Sequence, residues 1–217
     1  MTDYQTRRKT MVDTQIRPSD VTKFPIIEAF LSVPREKFVP DGKREAAYIG
    51  ENFKIGQSRV ILEPRTLAKL LDALDIRNDE LVLDIGPGLG YSSAVISPMA
   101  EVVIAVEDDS SMANEAEEIL TEVGADNVVI QIGKLEDGAP EHGPYDVIIL
   151  QGGVEKIPSS IVNQLKNGGR VGAIFVEEGL GTAKIGFKLN DKINWRYSFN
   201  AAAPVLPGFF KQKDFVL

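Results

Sequence analysis

Cysteine is missing altogether from the 217 residues. Without a thiol there is no disulfide framework, no thiolate nucleophile and no cysteine-held zinc. Histidine occurs once, at His142. It lies inside EHGPYD, where the Gly/Pro context marks a surface loop rather than a catalyst. No metal site is expected. Positive charge is in deficit as well: 24 Lys and Arg face 32 Asp and Glu, a net charge of −8. Such a surface repels phosphate backbones and anionic lipids, so neither nucleic acid nor a membrane is expected as a partner. No apolar run approaches the ~18 residues of a membrane span. The opening MTDYQTRRKTMVDTQIRP has no apolar centre and does not read as a secretory signal. A soluble, cytoplasmic monomer is the expectation.

What the chain does have is core-forming material, with 43% hydrophobic residues. That suits one globular domain spanning 1–217. Within it, 1–78 would be an N-terminal helical extension with substrate-side elements, 79–178 a cofactor-binding core, and 179–217 added C-terminal strands. In the first part, Val21, Phe24, Ile27, Phe30 and Leu31 have helical spacing, with Ser19 or Asp20 as the cap and Pro34 as the stop. EPRTLAKLLDAL predicts an amphipathic helix with Leu67, Leu70, Leu71 and Leu74 on its apolar face.

From residue 79 the alternation is regular. LVLDIG, EVVIAVE, NVVIQIG, YDVIIL and RVGAIFV read as strands. Helical patterns lie between several of them: from about Tyr91, through SSMANEAEEILTEVG, and through SSIVNQLKNGG. Strands alternating with helices imply parallel βαβ units. Runs such as VVIAV are apolar on both faces, as a sheet covered on both sides requires. KIGFKLN, INWRYSFN and GFFKQKDFVL predict late, antiparallel edge strands. The fold class is therefore α/β: a doubly wound, mostly parallel Rossmann-like sheet with an N-terminal helical extension and C-terminal added strands.

Ligands of open parallel sheets bind beyond the carboxyl ends of the strands. The turn Gly86-Pro87-Gly88-Leu89-Gly90 follows the first of them. Its glycines permit a tight turn and a close approach of ligand to backbone. The G-x-G-x-G spacing differs from the G-x-G-x-x-G of dinucleotide sites, and Pro87 removes an amide donor, which disfavours NAD. Glu107 closes the second strand, where a carboxylate accepts hydrogen bonds from ribose hydroxyls. Together these features indicate a nucleoside ligand.

The stretch from Asp84 to Tyr91, DIGPGLGY, resembles the first motif of S-adenosylmethionine-dependent methyltransferases. The more specific resemblance is to the protein-L-isoaspartate O-methyltransferase family. It rests on VPREKFVP at residues 33–40, Ala47-Tyr48, Ile55-Gly56-Gln57 and the glycine motif ending in Tyr91. Further matches are Asn127-Val128, Tyr145-Asp146 with the apolar run after it, and residues 164–170. This resemblance implies S-adenosylmethionine as cofactor. It implies cofactor contacts at Asp84, Gly86, Pro87, Gly88, Gly90 and Glu107, and at Lys134 and Leu135 after the third strand. The implied substrate is the free carboxylate of an isoaspartyl or D-aspartyl residue in a damaged protein. That carboxylate, with a pKa near ~3.5, is already ionised at neutral pH, so no general base is needed and no catalytic residue is assigned.

The chain also departs from the family pattern. A Gln-x-x-Ile-Ser-x-Pro type stretch, with Thr before Ile, is replaced by Gln57-Ser58-Arg59-Val60-Ile61-Leu62-Glu63-Pro64. Anchored on the proline, Val60 and Leu62 stand where hydroxyls are expected, and Ser58 and Arg59 lie nearby but out of register. Lys134 replaces an acid near the adenine and cannot accept from its amino group, so backbone groups or Glu136 would do so. Gly50 stands where an acid is usual. A second reading follows: a catalytically weak or inactive S-adenosylmethionine-binding homologue with a binding or regulatory role, favoured by Val60 and Leu62.

Overall fold

The computed structural model describes residues 3–190 and 192–211. At its centre lies a seven-stranded sheet in the order β5-β4-β3-β6-β7-β8-β9. The strands are β3 (Leu81–Ile85), β4 (Val102–Glu107), β5 (Val128–Ile132), β6 (Tyr145–Val154), β7 (Leu165–Glu177), β8 (Leu180–Leu189) and β9 (Lys192–Asn200). Pairs from β5 through β7 are parallel, and β8 and β9 are added antiparallel. The strand order reverses beside β3, with β4 and β5 on one side and β6 on the other. A crevice for ligand opens at such a reversal, at the carboxyl ends of the strands.

Register explains the two-sided apolarity. Val82 pairs with Val103 and Val147, and all three enter one buried cluster. Leu83 pairs with Ile104 and Ile148, and these enter a second cluster. Alternate residues point to opposite faces. The first face is covered by helices α3 (Pro64–Leu74), α4 (Tyr91–Ile96) and α5 (Ser110–Glu122) and by the N-terminal extension. Leu67, Leu70, Leu71 and Leu74 are all buried there, as their spacing predicts. Ile161 of α6 (Ser159–Asn163) covers the second face, joined by Leu206 and Phe209 from the C-terminal segment.

Five local expectations need correction. The extension begins with α1 (Tyr4–Met11), continued by a widened turn over Val12–Ile16, neither of which the periodicity reveals. Its sequence YQTRRKTM is too polar to show an apolar stripe. Helix α2 (Phe24–Ser32) is not capped by Ser19 or Asp20. Lys23 is its N-cap, and Pro25 fits the first turn, where an amide donor is not needed. Asp20 instead closes the preceding turn with φ 65°, and the Ser19 hydroxyl donates to the Gln15 carbonyl. Between the extension and α3 the chain forms a hairpin, β1 (Phe53–Gly56) with β2 (Arg59–Ile61), too short to show a period.

The helix read through SSIVNQLKNGG stops at Asn163. The Gln164 carboxamide holds that end, accepting from Ala139 N and donating to the Asp137 and Ser160 carbonyls, and β7 starts at once. Residues 208–211 of GFFKQKDFVL form a turn and its exit rather than a strand, and 212–217 lie outside the described residues. The segment before that turn runs beside the end of β6. Gly153 N donates to Pro204 O at 2.8 Å, and Leu206 N donates to Gly153 O at 2.9 Å. Among the described residues no helix is long and apolar enough to cross a membrane.

Candidate functional site

The turn after β3 sits where the strand order reverses. Gly86 and Gly88 have φ of 75° and 61°, a region that L side chains rarely adopt. They also face occupied space. A Cβ on Gly86 would lie 2.5 Å from Arg59 Nη1, and one on Gly88 would strike Ile55 Cδ1. Hence the β1–β2 hairpin lies directly on the turn. Met112, in the first turn of α5, packs against the hairpin at Gly56. Residues 84–90 are all buried.

Asp84 is fully buried and its acceptors are spent inside the protein. Ser92 and Ser93 donate their hydroxyls to Oδ2 at 2.6 and 2.7 Å, and Gln151 Nε2 donates to Oδ1 at 2.7 Å. It ties the start of α4 to the end of β6 and so fixes the turn between them. Burial pushes its pKa up, while the two hydroxyls and the amide pull it back.

Glu107, at the end of β4, is also fully buried. Its Oε1 accepts from Asp108 N and Asp109 N at 3.0 and 3.2 Å. Oε2 accepts from Gly88 N at 2.8 Å and from Arg59 Nη2. The carboxylate thus touches the glycine turn directly. Burial raises its pKa, opposed by the Arg59 guanidinium and the backbone amides of Asp109 and Gly88.

Arg59 was placed out of register by alignment on Pro64, yet its side chain enters the site. The residue is 5% exposed, ion-paired to Glu107, and its Nε and Nη1 have no hydrogen-bond partner. It gets there from the hairpin, in which Arg59 pairs with Gly56 across a two-residue turn. Leu62 faces elsewhere. It is 1% exposed within the first apolar cluster, and Val60 packs against that cluster. The Leu62 carbonyl accepts from Arg35 Nη2 at 2.9 Å.

Arg35, from the VPREKFVP run, is the strut behind this wall. It is fully buried, donates from Nε to Ala47 O at 2.7 Å, and stacks 4.6 Å from the Tyr91 ring. Phe30 and Phe38 meet the same ring edge-on. Its neighbour Glu36 accepts from the Tyr48 hydroxyl and pairs with Arg8. Segments at residues 8, 30–38, 47–48 and 62 are joined to α4 in this way.

The remaining candidates lie after β5. Lys134 is exposed, whereas Leu135 is fully buried in the second cluster, so only its backbone is open to a ligand role. Glu136 reaches the C-terminal segment at Gly208. His142 is exposed in a short turn. Among the described residues no group of three or more metal-binding side chains forms.

Comparison with known proteins bears on this geometry. The family described as Protein-L-isoaspartate(D-aspartate) O-methyltransferase (PCMT) matches residues 6–195. A protein-L-isoaspartate O-methyltransferase of Syntrophus aciditrophicus is 39% identical over 171 residues, covering 79% of this chain and 78% of its own. One from Opitutus terrae is 35% identical over 164 residues, covering 76% and 70%. A solved protein-L-isoaspartate O-methyltransferase superposes with a TM-score of 0.82 at 25% identity, over 93% of this chain and 66% of the other. Another solved structure, a putative enzyme of that name from Plasmodium falciparum in complex with S-adenosyl-L-homocysteine, gives 0.78 at 18% identity, over 95% and 99%, and supports the shared fold. The chain belongs to the protein-L-isoaspartate(D-aspartate) O-methyltransferase family.

Proposed function

We propose that this chain transfers a methyl group from S-adenosylmethionine to the free carboxylate of isoaspartyl residues in damaged proteins. The observation that carries the reading is the buried Glu107 carboxylate at the end of β4, bonded to the Gly88 amide of the turn that follows β3. A nucleoside over Gly86, Pro87, Gly88 and Gly90 would meet that carboxylate with its ribose hydroxyls. Asp84 supports the turn from within. Lys134 and Leu135 would border the adenine through their backbone.

Held by the Gly86–Gly90 turn and Glu107, the cofactor would supply an electrophilic sulfonium methyl for an acceptor carboxylate, with the electrons of the C–S bond left on sulfur. The products are a methyl ester and S-adenosylhomocysteine. No proton moves, so the chain needs no base, and the exposed His142 is no obstacle. The protein's contribution is alignment and exclusion of water. Ile55 and the hairpin cover the turn, and Arg35 and Tyr91 hold the wall behind it rigid. Arg59 occupies space beside Glu107 that the ribose would take, so the side chain must withdraw when the cofactor enters.

Val60 and Leu62 do not argue for an inactive homologue. Leu62 is built into the core, and the nucleophile belongs to the substrate. The test is incubation with radiolabelled S-adenosylmethionine and an isoaspartyl peptide, beside the matching aspartyl peptide. Base-labile label confined to the isoaspartyl peptide is expected. No label on it would overturn the assignment.

A further inference from the structure

We propose that Arg59 is the residue that receives the acceptor's carboxylate, and that it becomes free to do so only when the cofactor displaces it from Glu107. The inference rests on the methyl-transfer reading above and adds a specificity-determining residue and an order of binding to it.

Three observations lead there. The guanidinium is almost wholly buried, yet its Nε and Nη1 have no partner. Buried donors left unpaired are uncommon and costly, and these two lie on the side chain that covers Gly86. Secondly, Glu107 already has four donors: three backbone amides and Arg59. Ribose hydroxyls cannot gain this carboxylate while the guanidinium holds Oε2, so ribose and Arg59 compete for it. Thirdly, Arg59 projects from β2, at the end of a two-residue turn whose Ser58 has φ 58°. That hairpin is the element laid over the glycine turn, so a displaced Arg59 stays beside the reaction site with its planar fork unpaired. A fork of parallel N–H donors matches a carboxylate in two-point contact. It would fix the acceptor against rotation, the directional role that the aliphatic Val60 and Leu62 do not supply.

Cofactor and acceptor should then bind cooperatively, because Glu107 and the acceptor carboxylate compete for one guanidinium. By linkage the effect is reciprocal. The test uses calorimetric titration of the whole protein with S-adenosylhomocysteine and with an isoaspartyl peptide, each alone and with the other saturating. In the wild type, S-adenosylhomocysteine should raise peptide affinity at least tenfold. In Arg59→Met it should bind as well as in the wild type or better, its competitor having gone. Peptide affinity of the loaded variant should fall at least tenfold, with the cooperativity lost. A control peptide whose isoaspartyl carboxylate is an amide should bind both proteins equally weakly. Arg59→Lys keeps the charge without the fork and should recover part of the peptide affinity.

Unchanged peptide affinity in Arg59→Met would overturn the proposal, as would equal losses in the Met and Lys variants. Weaker S-adenosylhomocysteine binding in Arg59→Met would also overturn it, by making Arg59 a cofactor ligand. Failure of the wild type to bind S-adenosylhomocysteine at all would remove the underlying reading, a result distinct from these.

Discussion

At Glu107 a charge that the fold buries is also the one that the cofactor needs. Replacing it by alanine would leave the Arg59 guanidinium buried with no partner at all. Breaking a buried pair from one side costs about 3–5 kcal/mol, most of it from the stranded partner. Glu107→Ala should therefore lower stability in urea by about that amount and abolish S-adenosylhomocysteine binding. Adding Arg59→Ala should recover most of the stability and none of the binding. Full additivity of the two losses would show that the ion pair is not coupled. Asp84 makes a second case. Burial raises its pKa above the ordinary 3.8, so the folded chain holds this proton more readily than the unfolded chain. Its contribution to stability is thus present at low pH and is lost as pH rises from 3.8 through the folded value. Asn has a similar shape, and the Ser92 and Ser93 hydroxyls can rotate to accept from its amide. Urea midpoints should shift in favour of Asp84→Asn as the pH is raised from below 3.8 to neutrality, and the opposite shift would refute the assignment. The glycine turn, Asp84 and Glu107 were legible because strand, turn and acid lie within one short stretch. Arg59 was not, because its role depends on a hairpin reaching back across the fold.

Hairpin β1–β2 is the element that decides how the turn is covered. Gly88 combines φ 61° with the side chain of Ile55 where its Cβ would be. Gly88→Ala should cost about 1–3 kcal/mol through the strained backbone and should also push the hairpin outward. Shortening Ile55 to Ala in the same chain removes only the second effect. A double-mutant cycle by chemical denaturation should show the pair costing less than the sum of its parts. Strict additivity would mean that Ile55 does not rest on the turn. Sequence reading worked best for elements with their own period. β3, β4 and α3 lie close to where alternation and Leu spacing put them, since each buries at least one full face, and β5 lies there as the part-exposed edge strand beside β4. It failed where tertiary contacts substitute for a pattern. Polar α1 is held by contacts such as Arg8 with Glu36 and Tyr48. Three- and four-residue strands survive because Ile55 and Arg59 pack on the turn. Ser19 and Asp20 looked like a cap, yet the chain needed them to close the turn before it.

Seen as a whole, the molecule covers the two faces of its sheet unequally. Helices α3, α4 and α5 shield the first face, but α6 has only five residues. The connection from β5 to β6 contributes just a short turn at Pro140–His142. The deficit on the second face is filled by Leu206 and Phe209, both buried in its apolar cluster. Phe209 is also fixed through its backbone, its carbonyl accepting from Glu155 N and Lys156 N at 2.9 and 3.1 Å. The aromatic residues of the final stretch suggested a strand, whereas Phe209 plugs this face and Phe210 is exposed. Phe209→Ala should cost about 3–5 kcal/mol, as for other buried aromatic truncations. For a chain of this length that corresponds to a fall in Tm of roughly 10 °C, at about 2–4 °C per kcal/mol. Phe209 lies in the second cluster and makes no contact with Glu107 or the glycine turn in the hydrogen-bond or packing network described above. The stabilisation by S-adenosylhomocysteine should therefore survive, at about 2.7 kcal/mol for a ligand concentration one hundred times Kd. Thermal unfolding of wild type and variant, each with and without S-adenosylhomocysteine at the same multiple of its own Kd, checks both parts. A lowered Tm with an unchanged ligand-induced rise is expected. Loss of that rise would place the C-terminal segment in the cofactor site and not only on the apolar face.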